Sequence, residues 1–281
     1  MEKWLHVLRI RCEHVEQGDM FAQDRGEAAV IVDAIGSHPE AEIGGGNEWH
    51  IAGSERFADG AISFQIGRIQ NVTNPQYDER RQKFYESEGE RAPYAHGVFD
   101  SATQACVIER KANLFAKAAD LAPKLQKLLN EPKYARDAGV RIVVDELRDP
   151  EGFIEQVRAS EKVVRFQFVA EFKNPHDVQR LIHGPAEEYN ELIGGEKTTV
   201  ETRGSDLDKG VIEDMARSAA SVGDPASATI KDAGGAKSRT IYLRGTPLLE
   251  KVVFGGLEDM KDQMLIALRA AYNRLRKPQH D

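Results

Sequence analysis

The stretch Lys162–Asn174 constrains the fold more than any other part of the chain. Val164, Phe166, Phe168, Ala170 and Phe172 fall on every second residue, with Arg165, Gln167 and Glu171 between them. Alternation of this kind makes a β-strand with one buried and one half-wet face. Asn174-Pro175 ends it, because a residue before proline is driven to extended or turn geometry. Val178, Leu181 and Ile182 then recur at helical spacing, while a strand over Arg141–Leu147 and a helix over Asp149–Ala159 come before. The second half of the chain is therefore predicted as an α/β layer built on this strand.

A chain of 281 residues exceeds a typical domain of roughly 100–200 residues, and two domains are expected. Residues 1–135 form an N-terminal β-rich domain and 140–281 a C-terminal α/β domain, divided at the turn-prone, polar Glu131–Gly139. The fold class is α+β: a mostly antiparallel N-terminal sheet, then an α/β domain ending in a long helix. With 41% hydrophobic and 30% charged residues the chain lies outside the disordered class. No apolar run approaches the roughly 18 residues of a membrane span, and Met1-Glu2-Lys3-Trp4-Leu5-His6 lacks a signal-peptide pattern. A cytoplasmic protein without membrane insertion is expected. Cys12 and Cys106 are too few for a metal cluster and read as strand-borne thiols, so neither metal nor cofactor is expected.

Trp4, His6, Leu8, Ile10 and Cys12 alternate and predict an N-terminal strand with one apolar face. Ala28–Ile35 fits strand or helix equally. Trp49–Ile51 and Ala61–Ile69 predict two strands of a meander, and the very polar 75–91 an exposed helix or loop. Tyr94–Phe99 and Cys106–Lys111 form a hairpin turning through 100–104, followed by a helix over Asn113–Asn130 with Lys117, Lys124 and Lys127 on its wet face. Beyond residue 198 come a strand over Thr198–Arg203 and a helix carrying Leu207, Val211, Ile212, Met215, Ala219 and Val222. Three short strands and a terminal helix bearing Leu257, Met260, Met264, Ala267, Ala271 and Leu275 complete the chain.

Two chemical readings of these elements compete. Asp100 with Glu109 and Lys111 resembles the carboxylates and lysine of a metal-dependent nuclease, which needs both acids on one ion. A turn at 101–104, however, pairs Asp100 near Ala105 and Glu109 near His96, leaving the carboxylates about 13 Å apart where a shared ion permits roughly 4 Å. His176 and His183 stand seven residues apart with no third ligand nearby, and Gly194-Gly-Glu-Lys-Thr198 lacks the upstream glycine of a phosphate loop. The second reading is electrostatic. Net charge is −8, but residues 1–60 hold twelve acidic and five basic side chains, while 111–141 hold seven basic and three acidic, and 231–251 five basic and two acidic. Lys237, Arg239 and Arg244 flank a glycine turn, and Arg269, Arg274, Arg276 and Lys277 crowd the terminal helix, as phosphate contacts require.

The order of these elements, from the Tyr94–Lys111 hairpin through Arg141–Leu147, Val163–Phe172, Asp206–Ser221, the run Asp224–Gly235 and the terminal helix with its basic tail, resembles the RexA-like phage-exclusion proteins and similar prophage-borne defence proteins. The likeness spans roughly residues 90–281. It implies a homodimeric DNA-binding protein that senses phage infection, acts with a protein partner and has no active site of its own. Binding is expected to be largely independent of DNA sequence. A metal-dependent nuclease, or a protein-binding module whose acidic first 60 residues engage a partner, is the alternative.

Overall fold

The computed structural model describes residues 2–14, 26–44, 47–170, 185, 189, 192–195, 198–234, 237–243, 247–256 and 259–276. The predicted helix over Val178–Ile182, both His176 and His183, and the Asn174-Pro175 stop lie outside them. The protein is α+β, as its patterning implies: a large antiparallel sheet, a second small sheet, and a C-terminal helix.

The chain divides into two compact units, residues 1–145 with 249–268 and residues 146–248 with 269–281. The division therefore falls after Asp145, not within 131–139, and the chain returns to the first unit near its end. The reason is strand pairing. β1 (Glu2–His14) is bordered by β13 (Leu249–Val253) and β7 (Ala105–Glu109), and β8 (Val140–Glu146) also pairs with it. In order, the sheet runs β13-β1-β7-β6-β4-β3-β2, with β6 Tyr94–Asp100, β4 Ile62–Asp78, β3 Glu48–Arg56 and β2 Glu40–Glu42. Helices α1 (Glu27–Gly36), α2 (Ala118–Asn130) and α3 (Lys133–Asp137) pack on it through Val30, Ile31, Ile35, Leu121, Leu125 and Leu128, against Leu8, Ile10, Trp49, Phe64 and Ile108. The segment 28–35, open between strand and helix in the sequence, is helical.

Two expectations are corrected in this unit. β1 is buried on both faces: Leu5, Val7, Arg9 and Arg11 are as inaccessible as His6, Leu8 and Ile10, while Trp4 is 45% exposed under the Lys251 ammonium. Arg9 hydrogen-bonds the Thr103 carbonyl at 3.3 Å and the Gln104 side chain at 3.4 Å, and Arg11 pairs with Asp145 at 3.0 Å and Glu13 at 2.8 Å. Those partners let positions that alternate as polar lie inside a sheet. The polar 75–91 is neither helix nor loop. β4 continues past its pairing with β3 and β6 and pairs with β5 (Lys83–Arg91) in a nine-pair ribbon, from Gln70↔Arg91 to Asp78↔Lys83. The expected exposure is observed.

The second unit holds a four-stranded antiparallel sheet in the order β10-β9-β11-β12 (β9 Lys162–Ala170, β10 Thr198–Arg203, β11 Ala226–Lys231, β12 Arg239–Tyr242). β9, the strand most legible in the sequence, is central to it. Phe166 and Phe168 are buried as predicted, but Val163 replaces Val164 inside, because the register against β11 slips between Thr229↔Arg165 and Ile230↔Val163. This bulge takes up one residue and resets the faces. Helices α4 (Glu151–Ala159) and α5 (Lys209–Val222) cover the inner face with Phe153, Ile154, Val157, Ile212, Met215, Ala216 and Ala219. Asp208 caps α5 by accepting from the Val211 amide at 3.1 Å, and Gly223 ends it in the left-handed region at φ 87°. Helix α6 (Met260–Arg276) begins in the first unit and ends in the second. Among the described residues no helix is long and apolar enough to cross a membrane.

Candidate nucleic-acid interface

The hairpin that carries the nuclease reading adopts the predicted register. Asp100 pairs with Ala105 and Gly97 with Ile108, so Glu109 falls beside His96, at the other end from Asp100. Asp100 is fully buried and accepts a 2.7 Å hydrogen bond from Thr103. Glu109, 3% exposed, is enclosed by three basic side chains: Lys3 from β1 hydrogen-bonds its Oε1, the His96 ring Nδ1 lies 3.4 Å and Lys111 Nζ 3.6 Å from its Oε2. Burial alone raises a carboxyl, but hydrogen bonds from His96 and Lys3 and the charges of Lys111 and Lys3 outweigh it and hold Glu109 at about 2. Lys111 is itself spent, donating to the Tyr94 carbonyl at 2.6 Å and lying 4.9 Å from that ring's centroid. The cluster ties β1, β6 and β7 together. Its two carboxylates stand four strand steps apart, about 13 Å, which is too far for one ion.

The predicted phosphate contacts fall in the second unit. Lys237 is exposed beside the β11–β12 turn. Arg239 is held by Asp232 (Nε to Oδ2 2.9 Å) and by Gln156 (2.9 Å), so part of its charge is already balanced. Arg269 is half-buried and Arg274 exposed on the last turns of α6. Arg244 and Lys277 lie outside the described residues, as does the side chain of Arg276. On the open face of this sheet Arg165 and Arg203 both pair with Glu201, at 2.6 and 2.5 Å, and hold its carboxyl below the usual range.

A third arrangement was hidden in the sequence. Helix α2, helix α3 and strand β8 border a groove of about 700 Å³ lined by Gln126, Lys127, Asn130, Arg136 and Arg141, with Glu131 the single carboxylate. Its floor is built by amides. Asn130 accepts from the Ile142 amide at 2.9 Å and donates to the Ile142 carbonyl at 2.7 Å, and Gln126 accepts from the Val144 amide at 3.1 Å. These side chains take the place of a further strand on the edge of β8. Lys127 reaches the Glu42 carbonyl at 2.7 Å. Among the described residues neither Arg136 nor Arg141 has an ion-pair partner, and both are exposed. The basic excess over 111–141 was the only available signal. It did not show that Lys124 turns away onto the Trp49 ring, 5.7 Å from its centroid, while Arg136 and Arg141 meet Lys127 across three elements.

Elsewhere, Glu40, Glu48 and His50 converge on the β2–β3 pair with ligand atoms within 4.8 Å. His50, half-buried, lies 3.8 Å from the exposed Glu40 and 3.5 Å from the exposed Glu48. No protein-family model matches the chain, and no curated protein matches it.

Proposed function

We propose that the chain is a DNA-binding protein of anti-phage defence that acts through phosphate contacts and has no active site of its own. The observation that carries the reading is the α2–α3–β8 groove of about 700 Å³, whose lining includes Lys127, Arg136 and Arg141 and a single carboxylate, Glu131. Guanidinium pairs of this kind recognise phosphate oxygens by bidentate hydrogen bonds without reading bases. The exposed Lys237 and Arg274 of the second unit supply further contacts in the same reading, and the resemblance to phage-exclusion proteins supplies the biological setting. Glu109 is a neutralised structural carboxylate in this account, and its enclosure by Lys3, His96 and Lys111 speaks for that role over metal ligation. Gel retardation of duplex and single-stranded DNA across a salt series tests the proposal. Retardation that weakens steeply with salt is expected; no retardation at low salt refutes it. Incubating plasmid with Mg²⁺ or Mn²⁺ separates the nuclease alternative, which requires cleavage that Glu109→Ala abolishes.

A further inference from the structure

The short edge strand β2 and its neighbour β3 crowd three carboxylates and one imidazole onto the outer face of the first sheet. Their register pairs Glu40 with His50 and Glu42 with Glu48. Ala41, Trp49 and Ile51 are buried in the core, so Glu40, Glu42, Glu48 and His50 share the opposite face. Like charges directly opposite one another on a sheet are destabilising. Among the described residues no lysine or arginine forms an ion pair with any of the three glutamates, and His50 is the basic group that Glu40 and Glu48 approach. Its Nδ1 lies 3.8 Å from Glu40 and its Nε2 3.5 Å from Glu48, yet Nε2 is shut off from water and has no hydrogen-bond partner among the described residues. An unsatisfied buried nitrogen of this kind points to an ion or another ligand at the ring.

The spacing fits a metal. One nitrogen of His50 and one oxygen from each of Glu40 and Glu48 lie within 4.8 Å of one another. Ligand atoms roughly 2.0–2.2 Å from a tetrahedral zinc ion stand about 3.4 Å apart, so the set closes by about 1.4 Å at most. Both glutamate side chains are exposed and reach that distance by rotating. The backbone that carries them is already fixed: the Ile51 amide donates to the Pro39 carbonyl and the Ile43 amide to the Asn47 carbonyl, each at 2.9 Å, and Lys127 holds the Glu42 carbonyl at 2.7 Å. From this arrangement we propose that Glu40, Glu48 and His50 bind a first-row divalent cation, zinc in preference to magnesium or calcium. The imidazole decides the class, because the hard cations take oxygen ligands whereas a nitrogen with two carboxylates suits zinc. A water completes the tetrahedron. The ion fastens β2 to β3 and relieves the repulsion of the glutamate row. The site is not legible in the sequence, since its three members meet only through the strand pairing. It does not depend on the DNA-binding reading, and its test contains no DNA.

The full chain, stripped of metal with a chelator, is titrated calorimetrically with Zn²⁺, Mg²⁺ and Ca²⁺, and with Co²⁺ as a coloured stand-in for zinc. His50→Ala and Glu40→Gln/Glu48→Gln are compared with wild type, with circular dichroism to establish folding; the glutamine pair is isosteric and exposed, so it keeps the test decisive if His50→Ala does not fold. Wild type is expected to bind one zinc ion per chain at micromolar concentration, with a raised thermal midpoint, and to bind Mg²⁺ and Ca²⁺ far more weakly. Each variant is expected to bind zinc about tenfold or more weakly, and the visible bands of the Co²⁺-loaded chain to disappear in His50→Ala. His38→Ala, which removes a ring bonded to Ser54 at 2.8 Å outside the set, is expected to bind like wild type. A wild type that binds no zinc overturns the proposal, as does one that binds Mg²⁺ as tightly, which marks a mere acidic patch. Folded variants with wild-type zinc affinity overturn it in favour of a site elsewhere in the chain.

Discussion

Replacing Glu109 by glutamine removes the one negative charge that Lys3, His96 and Lys111 surround, and the structure sets the size of the effect. The carboxyl is held at about 2 against an ordinary 4.5 and is 3% exposed. At 1.36 kcal/mol per pH unit this corresponds to about 3 kcal/mol of stability at neutral pH. The folded value lies below the unfolded one, so the contribution is complete above about pH 5 and drains away as pH falls toward 2. At pH 3 less than half of it remains by the same linkage. Both tryptophans, Trp4 and Trp49, lie in the first unit, so urea unfolding followed by tryptophan emission reports the unit that holds Glu109. Glu109→Gln is expected to be less stable than wild type by about 3 kcal/mol at pH 7 and by less than half that at pH 3. A variant as stable as wild type at pH 7, or a difference that does not shrink with acid, refutes the anchoring role and reopens metal ligation.

The same probe checks two packing predictions. A Cβ at Gly97 meets the buried Phe64 ring at 2.6 Å, so Gly97→Ala is expected to cost about 1–3 kcal/mol by overpacking; an unchanged urea midpoint means the ring has room to move. Asn130→Ala strips both backbone groups of Ile142 of their partners and is expected to cost about 1–3 kcal/mol, with faster amide exchange confined to β8 as the independent sign.

Where one face was buried and the other wet, the sequence was readable. The strand at 162–170, the hairpin at 94–109 and the amphipathic α5 lie where periodicity puts them, α2 starts at Ala118 where the pattern put a helix from Asn113, and the four-residue turn at 101–104 even fixed the Asp100↔Ala105 pairing. The failures have three physical sources. Arg9 and Arg11 hide a doubly buried strand, because beside the local Glu13 their donors are taken up by Thr103, Gln104 and Asp145, some 94 to 134 residues away. The β4–β5 ribbon is wet on its outer face from Asn71 to Glu90, so no hydropathic period of two marks it, and Pro75 imitates a break. The domain division was misplaced because turn chemistry at 131–139 is local, whereas the pairing of β8 and β13 with β1 is not. The candidate site followed the same rule. A basic excess at 111–141 was visible, but only tertiary structure shows which cations face a groove, and Asp232, seven residues before Arg239, was a visible sign that this arginine is already engaged.

Phosphate contacts in the α2–α3–β8 groove are proposed to bind DNA. The slope of log K against log salt for a random duplex measures it directly in wild type and in Lys127→Ala/Arg136→Ala/Arg141→Ala. Each lost contact removes close to one released counterion, so the variant's slope is expected to be flatter by roughly 2–3, with affinity at low salt reduced whatever the duplex sequence. Folding is expected to change little, since none of the three cations makes an ion pair among the described residues and Lys127 gives up only its hydrogen bond to the Glu42 carbonyl. Wild-type slope and affinity in this variant, with wild-type binding retained, contradict the groove as the interface; a wild-type chain that binds no DNA at low salt contradicts the function itself.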